Sequence, residues 1–248
     1  VALRVNVDVA PKTHAKISTG QLSTKFGVST SQSEAAGLYR KMAADPHICP
    51  AGLAVHIGSQ IIELDPFERA YSALLSFGTA LRDEGLEVPV LDLGGGIGVD
   101  YQDGTPTDFT AYGELVSRLF AGSGFQLGFE PGRSIVANNG VLLTRVIYVK
   151  DGDNKRFAIV DAAMNDLLRP TLYEAHHDIR PVGPEGAIEG PADIVGPVCE
   201  TGDYLGLDRM MPSLAAGDCL AVMSAGAYGA VMASSYNTRP PAGEVMVL

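Results

Sequence analysis

The chain has 248 residues, 46% of them hydrophobic and 19% charged, which is enough apolar material for one large domain or two small ones and argues against disorder. A formal net charge of -11 repels phosphate backbones and anionic lipid, so neither a nucleic acid nor a membrane is expected as a partner. Cys49, Cys199 and Cys219 are an odd, widely spaced set without a CxxC, which argues against a disulfide scaffold or a thiolate zinc site and favours a reducing, cytoplasmic setting.

The first residues carry no secretory leader pattern. They begin at Val1 in what reads as mid-strand, as in part of a longer protein. "ALRVNVDV" (Ala2–Val9) is a strand rich in β-branched residues. A helix follows the Ser/Thr cluster "STSQSE", capped by Ser31 or Ser33 and running to about Ala44. "GLAVHIG" (Gly52–Gly58) is the next strand, and a long amphipathic helix starts at Asp65-Pro66 with Pro66 at its first position. "PVLDLGGG" (Pro89–Gly96) and "FQLGFEP" (Phe125–Pro131) are two more strands, with a helix from roughly Asp108 to Ala121 between them. These three strands start about 37 residues apart, a βα spacing that predicts a parallel sheet covered on both faces.

Beyond "EPGRS" the pattern changes. "IVANNGVLLTRVIYVK" (Ile135–Lys150), "RFAIVD", "ADIVGPV", "CLAVMS" and "GEVMVL" read as short strands between Gly/Pro/Asp turns, hence a mainly antiparallel β domain. Cys219–Tyr236 carries no charge, yet it is rich in Ala, Ser, Gly and Tyr and is read as a buried strand, a tight turn and a helix rather than a membrane span.

In the first half the polar clusters "NVD", "HIGSQ", "DLGGGIG" and "EPGRS" each close an apolar strand. Functional groups gathered at the C-terminal ends of parallel strands are the arrangement of a (β/α)8 barrel. Four strands make half of one and would leave two apolar edges bare, so the missing strands are expected before Val1. The predicted fold is therefore α/β plus β: the C-terminal half of a (β/α)8 TIM-type barrel over 1–134, then an antiparallel β-barrel or sandwich over 135–248.

Each chemistry-bearing stretch has two readings. "DLGGGIG" is either a tight turn or a cradle of backbone N–H groups for phosphate; three consecutive glycines favour phosphate, while Val99 breaks the G-x-G-x-x-G pattern of a dinucleotide site. In "FEPGRS", Glu130 and Arg133 make either a local ion pair or a carboxylate for a protonated ring nitrogen beside an anion-holding guanidinium. His56 reads first as a satisfied core histidine, and alternatively as a ring stacked on a planar cofactor. Arg169 and Tyr173 share a face if their stretch is helical, although Pro170 would break or bend it; they could grip a carboxylate or simply be a surface Arg beside a packed Tyr. His176-His177 diverge as neighbours and lack partners at metal spacing, so no metal is assigned. In "GPVCETGD", Cys199 is either a small buried hydrophobe or, given its loop setting, a proton donor beside a cofactor.

Together "KISTG…KFGV", "HIGSQI", "DLGGGIG", "FEPGRSIVANNG", "MNDLLRPTLYEA", "GPVCETGD" and "GAYGAVM…YNTRP" resemble the pyridoxal-phosphate-dependent decarboxylases of the alanine-racemase-like fold (fold type III), and within them the diaminopimelate-acting branch. The resemblance implies pyridoxal 5'-phosphate as cofactor, an amino acid as substrate, decarboxylation of meso-2,6-diaminopimelate to L-lysine, and a head-to-tail homodimer with shared sites. It places His56 on the pyridine ring, Ser59, Gly94, Gly95, Gly96 and Gly132 around the cofactor, and Glu130 on the ring nitrogen. Arg133, Arg169, Tyr173, Glu200 and Tyr228 match substrate-contacting positions, Arg133 and Tyr228 also lying at the cofactor, and Cys199 matches the proton donor, which reaches into the neighbouring subunit's site together with Glu200. "CE" together with Arg169 and Tyr173 favours diaminopimelate over ornithine, whose enzymes typically carry Asp after the cysteine. A relative acting on ornithine, arginine or a carrier-tethered amino acid, and a degenerate binding module, are the alternatives. The family anchors its cofactor on a lysine in a motif like Y-A-x-K-A-N; none of the six lysines here has that context, so that lysine is expected upstream of Val1.

Overall fold

The computed structural model describes residues 1–12, 15–21, 23–30, 33–102, 107–183 and 186–247. It divides into two compact units, Val1–Val99 with Thr105–Ser134, and Asp100–Gly104 with Ile135–Leu248.

The first unit is a parallel sheet with helices. Its strands are β1 (Ala2–Asn6), β2 (Val28–Ser29), β3 (Gly52–Ala54), β4 (Val90–Asp92) and β5 (Gln126–Gly128), in the order β2-β1-β3-β4-β5. Every pairing is parallel, as the βα spacing predicts, with Leu53 opposite both Leu3 and Leu91. The helices are α1 (Glu34–Ala44), α2 (Asp65–Asp83) and α3 (Phe109–Phe120). In α2, Phe67, Ala70, Tyr71, Leu74, Gly78 and Leu81 recur at helical spacing and are all buried. Phe67, Tyr71 and Tyr112 form an aromatic cluster in which the two phenols hydrogen-bond at 2.8 Å, so their polar ends stay satisfied in the core.

Helix starts differ in detail from expectation. The Asp108 carboxylate caps α3 by accepting the Ala111 N–H at 2.9 Å. Ser33 occupies the N-cap of α1 without a side-chain bond, and Ser31 lies outside the described residues. Leu64 is the N-cap of α2, which moves Pro66 to the second helical position.

The paired strands are shorter than predicted. The expected strands 2–9, 52–58, 89–96 and 125–131 keep ladder pairing only over their first residues. The chain then leaves the extended region, at Asp8 with φ 56° and Gly94 with φ 69°. The polar clusters consequently sit on loops just past the strand ends, free of the pleat that would have turned alternate side chains away.

The second unit is built on a six-stranded sheet, ordered β10-β9-β7-β6-β11-β8, from β6 (Leu142–Asp151), β7 (Arg156–Val160), β8 (Ile179–Pro181), β9 (Ile188–Val195), β10 (Tyr204–Pro212) and β11 (Cys219–Val222). Only the β7–β9 pairing is parallel. Val146, Val160, Leu167, Ile194, Leu205 and Leu220 are among the side chains of its own core.

Four expectations change here. Ile135–Asn139 is helical rather than extended: α4 (Arg133–Val136) runs into a 3-10 turn at Ala137–Asn139, and the Asn139 amide donates to the Ile135 carbonyl at 2.7 Å. "GEVMVL" forms no strand over 243–247, where Val245, Met246 and Val247 are exposed and so have no buried face to align them. After β11 come only 3-10 turns, Ala230–Met232 and Tyr236–Thr238, in place of the expected helix. Strand β10 went unpredicted because Asp208 (φ 52°) and register shifts at Gly206 and Arg209 interrupt its alternation.

Candidate active site

In the first unit, three loops beyond β3, β4 and β5 close on one another through glycine. A Cβ on Gly94, Gly95 or Gly96 would come closer than 3.0 Å to the carbonyl oxygen of Val55, Glu130 or Gly58 respectively, and Gly94 and Gly96 also need positive φ. The backbone completes the lock: Glu130 N–H donates to Gly94 at 2.8 Å and Ile61 N–H to Gly96 at 3.0 Å.

The amides of this glycine loop are partly engaged. Gly94 N–H donates to the Asp92 carboxylate at 2.8 Å, and Gly95 N–H to His56 Nδ1 at 3.2 Å. The second bond fixes the His56 tautomer, because an Nδ1 that accepts cannot carry the proton. Burial, with the Arg4 charge adding to it, holds the His56 pKa below its ordinary value, so the ring stays neutral. Nearby, the buried Arg133 at the start of α4 donates to Ser59 Oγ at 3.0 Å, and Ser59 N–H donates to Ile17 O at 3.0 Å. Glu130 is exposed at its loop tip. A planar neutral ring, a hydroxyl against a guanidinium, and glycine backbone without side chains suit an aromatic, anionic cofactor. The Gly94 and Gly95 amides are already engaged, whereas Ser59 and Arg133 bring a hydroxyl and a guanidinium together.

In the second unit, "GPVCETGD" is organised around its last residue. The buried Asp203 carboxylate accepts the N–H groups of Val198 and Met164, each at 2.6 Å. A Cβ on Gly196 would meet that carboxylate closer than 3.0 Å. Burial raises the Asp203 pKa, opposed by the two amides. Cys199 and Glu200 stand exposed on the loop so formed.

The same loop is tied to α5 (Arg169–Tyr173), because Thr171 Oγ1 donates to Gly202 O at 2.6 Å and Tyr204 OH to Pro170 O at 3.2 Å. Pro170 sits in the first turn of α5 and starts the helix rather than breaking it, so Arg169 and Tyr173 do share a helical face. Arg169 is buried; its guanidinium donates to His177 Nε2 at 2.6 Å and covers the Tyr101 ring at 4.3 Å. His176 instead meets the Arg209 guanidinium, so the paired histidines diverge to two different arginines. No group of three metal-ligating side chains converges among the described residues.

A cavity of about 300 Å³, lined by Met164, Asn165, Leu168, Glu200, Ser234 and Tyr236, brings "MNDLL", "CE" and "SSYNTRP" together. Tyr236 OH donates to Glu200 at 2.8 Å, and Arg239 Nε donates to Asn165 Oδ1 at 2.9 Å. Tyr228, with positive φ, is exposed after β11. Thus His56, Ser59, Gly94–Gly96, Glu130, Gly132 and Arg133 fall in the first unit, and Arg169, Tyr173, Cys199, Glu200 and Tyr228 in the second. The sequence reading gave no role to Asp203, Tyr236, Tyr101 or His177. Asp203 had a signal in the quoted loop, since a glycine–aspartate pair bracketing a turn often marks a side chain accepting backbone amides.

A family model described as "Pyridoxal-dependent decarboxylase, C-terminal sheet domain" matches residues 18–226. This chain belongs to the pyridoxal-dependent decarboxylases. Within that family it is similar to the diaminopimelate decarboxylases of Zymomonas mobilis, 52% identical over all of this chain and 58% of that protein, and of Pseudomonas aeruginosa, 51% identical over all of this chain and 59% of that protein. A crystal structure of diaminopimelate decarboxylase from Helicobacter pylori complexed with L-lysine superposes with a TM-score of 0.92 at 41% identity, covering 97% of this chain and 59% of that one. The chain therefore spans just under three fifths of the decarboxylases it matches, and the resemblance read from its motifs holds at family level.

Proposed function

We propose that this chain is the larger part of a diaminopimelate decarboxylase that converts meso-2,6-diaminopimelate to L-lysine and CO2. The observation that carries this reading is the stapling of the Cys199–Glu200 loop to the Arg169–Tyr173 helix through Thr171–Gly202 and Tyr204–Pro170. The loop carries a carboxylate, Glu200, and the helix a guanidinium, Arg169. Those two groups complement the ammonium and the carboxylate at the far end of diaminopimelate. Ornithine and L-lysine lack that distal carboxylate. The resemblance to enzymes of the same name supports the reading along the whole chain.

Pyridoxal 5'-phosphate, when bound, supplies the electron sink for the bond to the departing carboxylate. In this reading the Glu130 carboxylate accepts a hydrogen bond from the pyridine nitrogen and favours its protonated form. The neutral His56 ring would stack on the cofactor, Ser59 and Arg133 would hold its phosphate beside Gly94–Gly96 and Gly132, and Tyr228 would lie near it. Arg133 also lies near the substrate, Arg169 and Tyr173 hold the distal carboxylate, and Glu200, oriented by Tyr236, takes the distal ammonium. Cys199 Sγ returns a proton to Cα.

The parallel sheet is read as an arc of a (β/α)8 barrel, completed by strands outside these 248 residues. In this reading residues 1–134 are part of the cofactor-binding barrel, and 135–248 are a β domain contributing to a cytoplasmic homodimer with shared sites. Among the described residues no helix is long and apolar enough to cross a membrane.

The test uses the full-length protein supplied with cofactor, measuring CO2 release from meso-diaminopimelate, ornithine, arginine and lysine. Turnover of meso-diaminopimelate far above the others is the expected result. Turnover of another substrate with none of meso-diaminopimelate overturns the proposal, and no turnover of any points to a binding module.

A further inference from the structure

We propose that His177 is the positioning residue for Arg169, a neutral acceptor that orients the guanidinium without consuming its charge. The proposal rests on Arg169 being the residue that grips the substrate's distal carboxylate, but the His177–Arg169 couple itself stands on geometry.

An arginine only donates, so the 2.6 Å contact from Arg169 makes His177 Nε2 the acceptor. Its proton must then be on Nδ1, and the Met223 carbonyl lies there, 2.8 Å away, to accept it. Both ring nitrogens are thus satisfied in one tautomer and in no other. Doubly protonated imidazole would turn a second N–H against the arginine's own. His177 is fully buried, and burial together with the charges of Arg169, His176 and Arg209 pushes its pKa down to about 4. The ring is therefore neutral at any physiological pH.

A carboxylate in place of His177 would set a negative charge against Arg169, whereas the imidazole accepts the hydrogen bond and adds no charge. The imidazole supplies direction alone. Tyr101 covers the guanidinium at 4.3 Å and meets the His177 ring edge-on, with centroids 5.1 Å apart, so guanidinium, phenol and imidazole form one packed trio. Tyr101 belongs to the second unit.

Two amide substitutions separate the roles of the two ring nitrogens. The Gln side chain places an acceptor where Nε2 lies and can still meet Arg169; Asn reaches only the Nδ1 position and keeps only the Met223 contact. In the full-length enzyme, H177L is expected to raise the KM for meso-diaminopimelate roughly tenfold or more, with kcat falling less, as for loss of a hydrogen bond to a charged group. H177Q should recover much of that loss and H177N little. Equal rescue by both, or an unchanged KM in H177L, overturns the proposal. Nitrogen-15 NMR of labelled histidine gives a readout free of turnover. The expected signal is Nδ1–H with Nε2 unprotonated, shifting when Arg169 is replaced by Met, and an Nε2–H tautomer overturns the proposal outright. Wild-type enzyme inert toward meso-diaminopimelate but showing this tautomer sinks the proposed substrate and upholds the couple.

Discussion

The thiol at Cys199 is exposed, on a loop whose shape is set by other residues, so its removal has little to disturb. C199A in the full-length enzyme is therefore expected to leave cofactor absorbance and thermal stability near wild type. The protonation step should slow by about 10²–10⁴-fold, the usual worth of a positioned acid. Stopped-flow absorbance with spectra recorded before substrate is added checks both halves, and an unchanged kcat refutes the role. His56 and His177 make the complementary point. Each is buried enough to be kept neutral, and in each the partner of one nitrogen decides where the proton sits. In both cases the accepting lone pair fixes the ring's orientation.

At the scale of elements, the Cys199–Glu200 loop depends on a carboxylate that never leaves the interior. Asp203 ties Val198 to Met164, and Gly196 makes room for it. G196A should force that carboxylate away and destabilise the protein by about 1–3 kcal/mol, as overpacking does. Urea denaturation measures that loss, and a G196A variant as stable as wild type would show that the loop has other means of holding its shape. Much at this scale was legible in the sequence. The helices over 34–44, 65–83 and 109–120 announced themselves because Phe67, Ala70, Tyr71 and Leu74 sit at helical spacing and Asp108 precedes an apolar run. The parallel strands showed as continuous apolar runs. Strand β10 did not, because local twists at Asp208 and Arg209 destroy the period-2 pattern that makes a strand visible. Among the candidate residues, His56 and Glu130 stand out as polar ends of apolar runs, and only the resemblance gives each an expected role. The Arg169–His177 couple does not stand out, since it depends on a ring tautomer set by the carbonyl of Met223, 46 residues further on.

For the whole molecule, the two sets of candidate residues fall in separate units: Glu130 and His56 in the first, Cys199 and Glu200 in the second. If the enzyme is a homodimer with shared sites, inactive E130A and C199A subunits should complement when mixed and allowed to exchange. One site of each mixed dimer is then fully wild type, so random pairing gives about a quarter of wild-type activity. Activity that stays at the level of the separate variants means that each site is built within one subunit.

The three glycines after β4 carry a consequence of another kind. Each lies against a different carbonyl, of Val55, Glu130 and Gly58, so any side chain there would wedge apart loops that must meet for the unit to close. Evolution of this segment is then constrained before any ligand arrives. A library randomised over Gly94–Gly96 and sorted only for resistance to proteolysis, with no vitamin B6 in the medium, would still return glycine at all three positions. A descendant without any cofactor would keep "DLGGGIG" as an inheritance of its architecture alone.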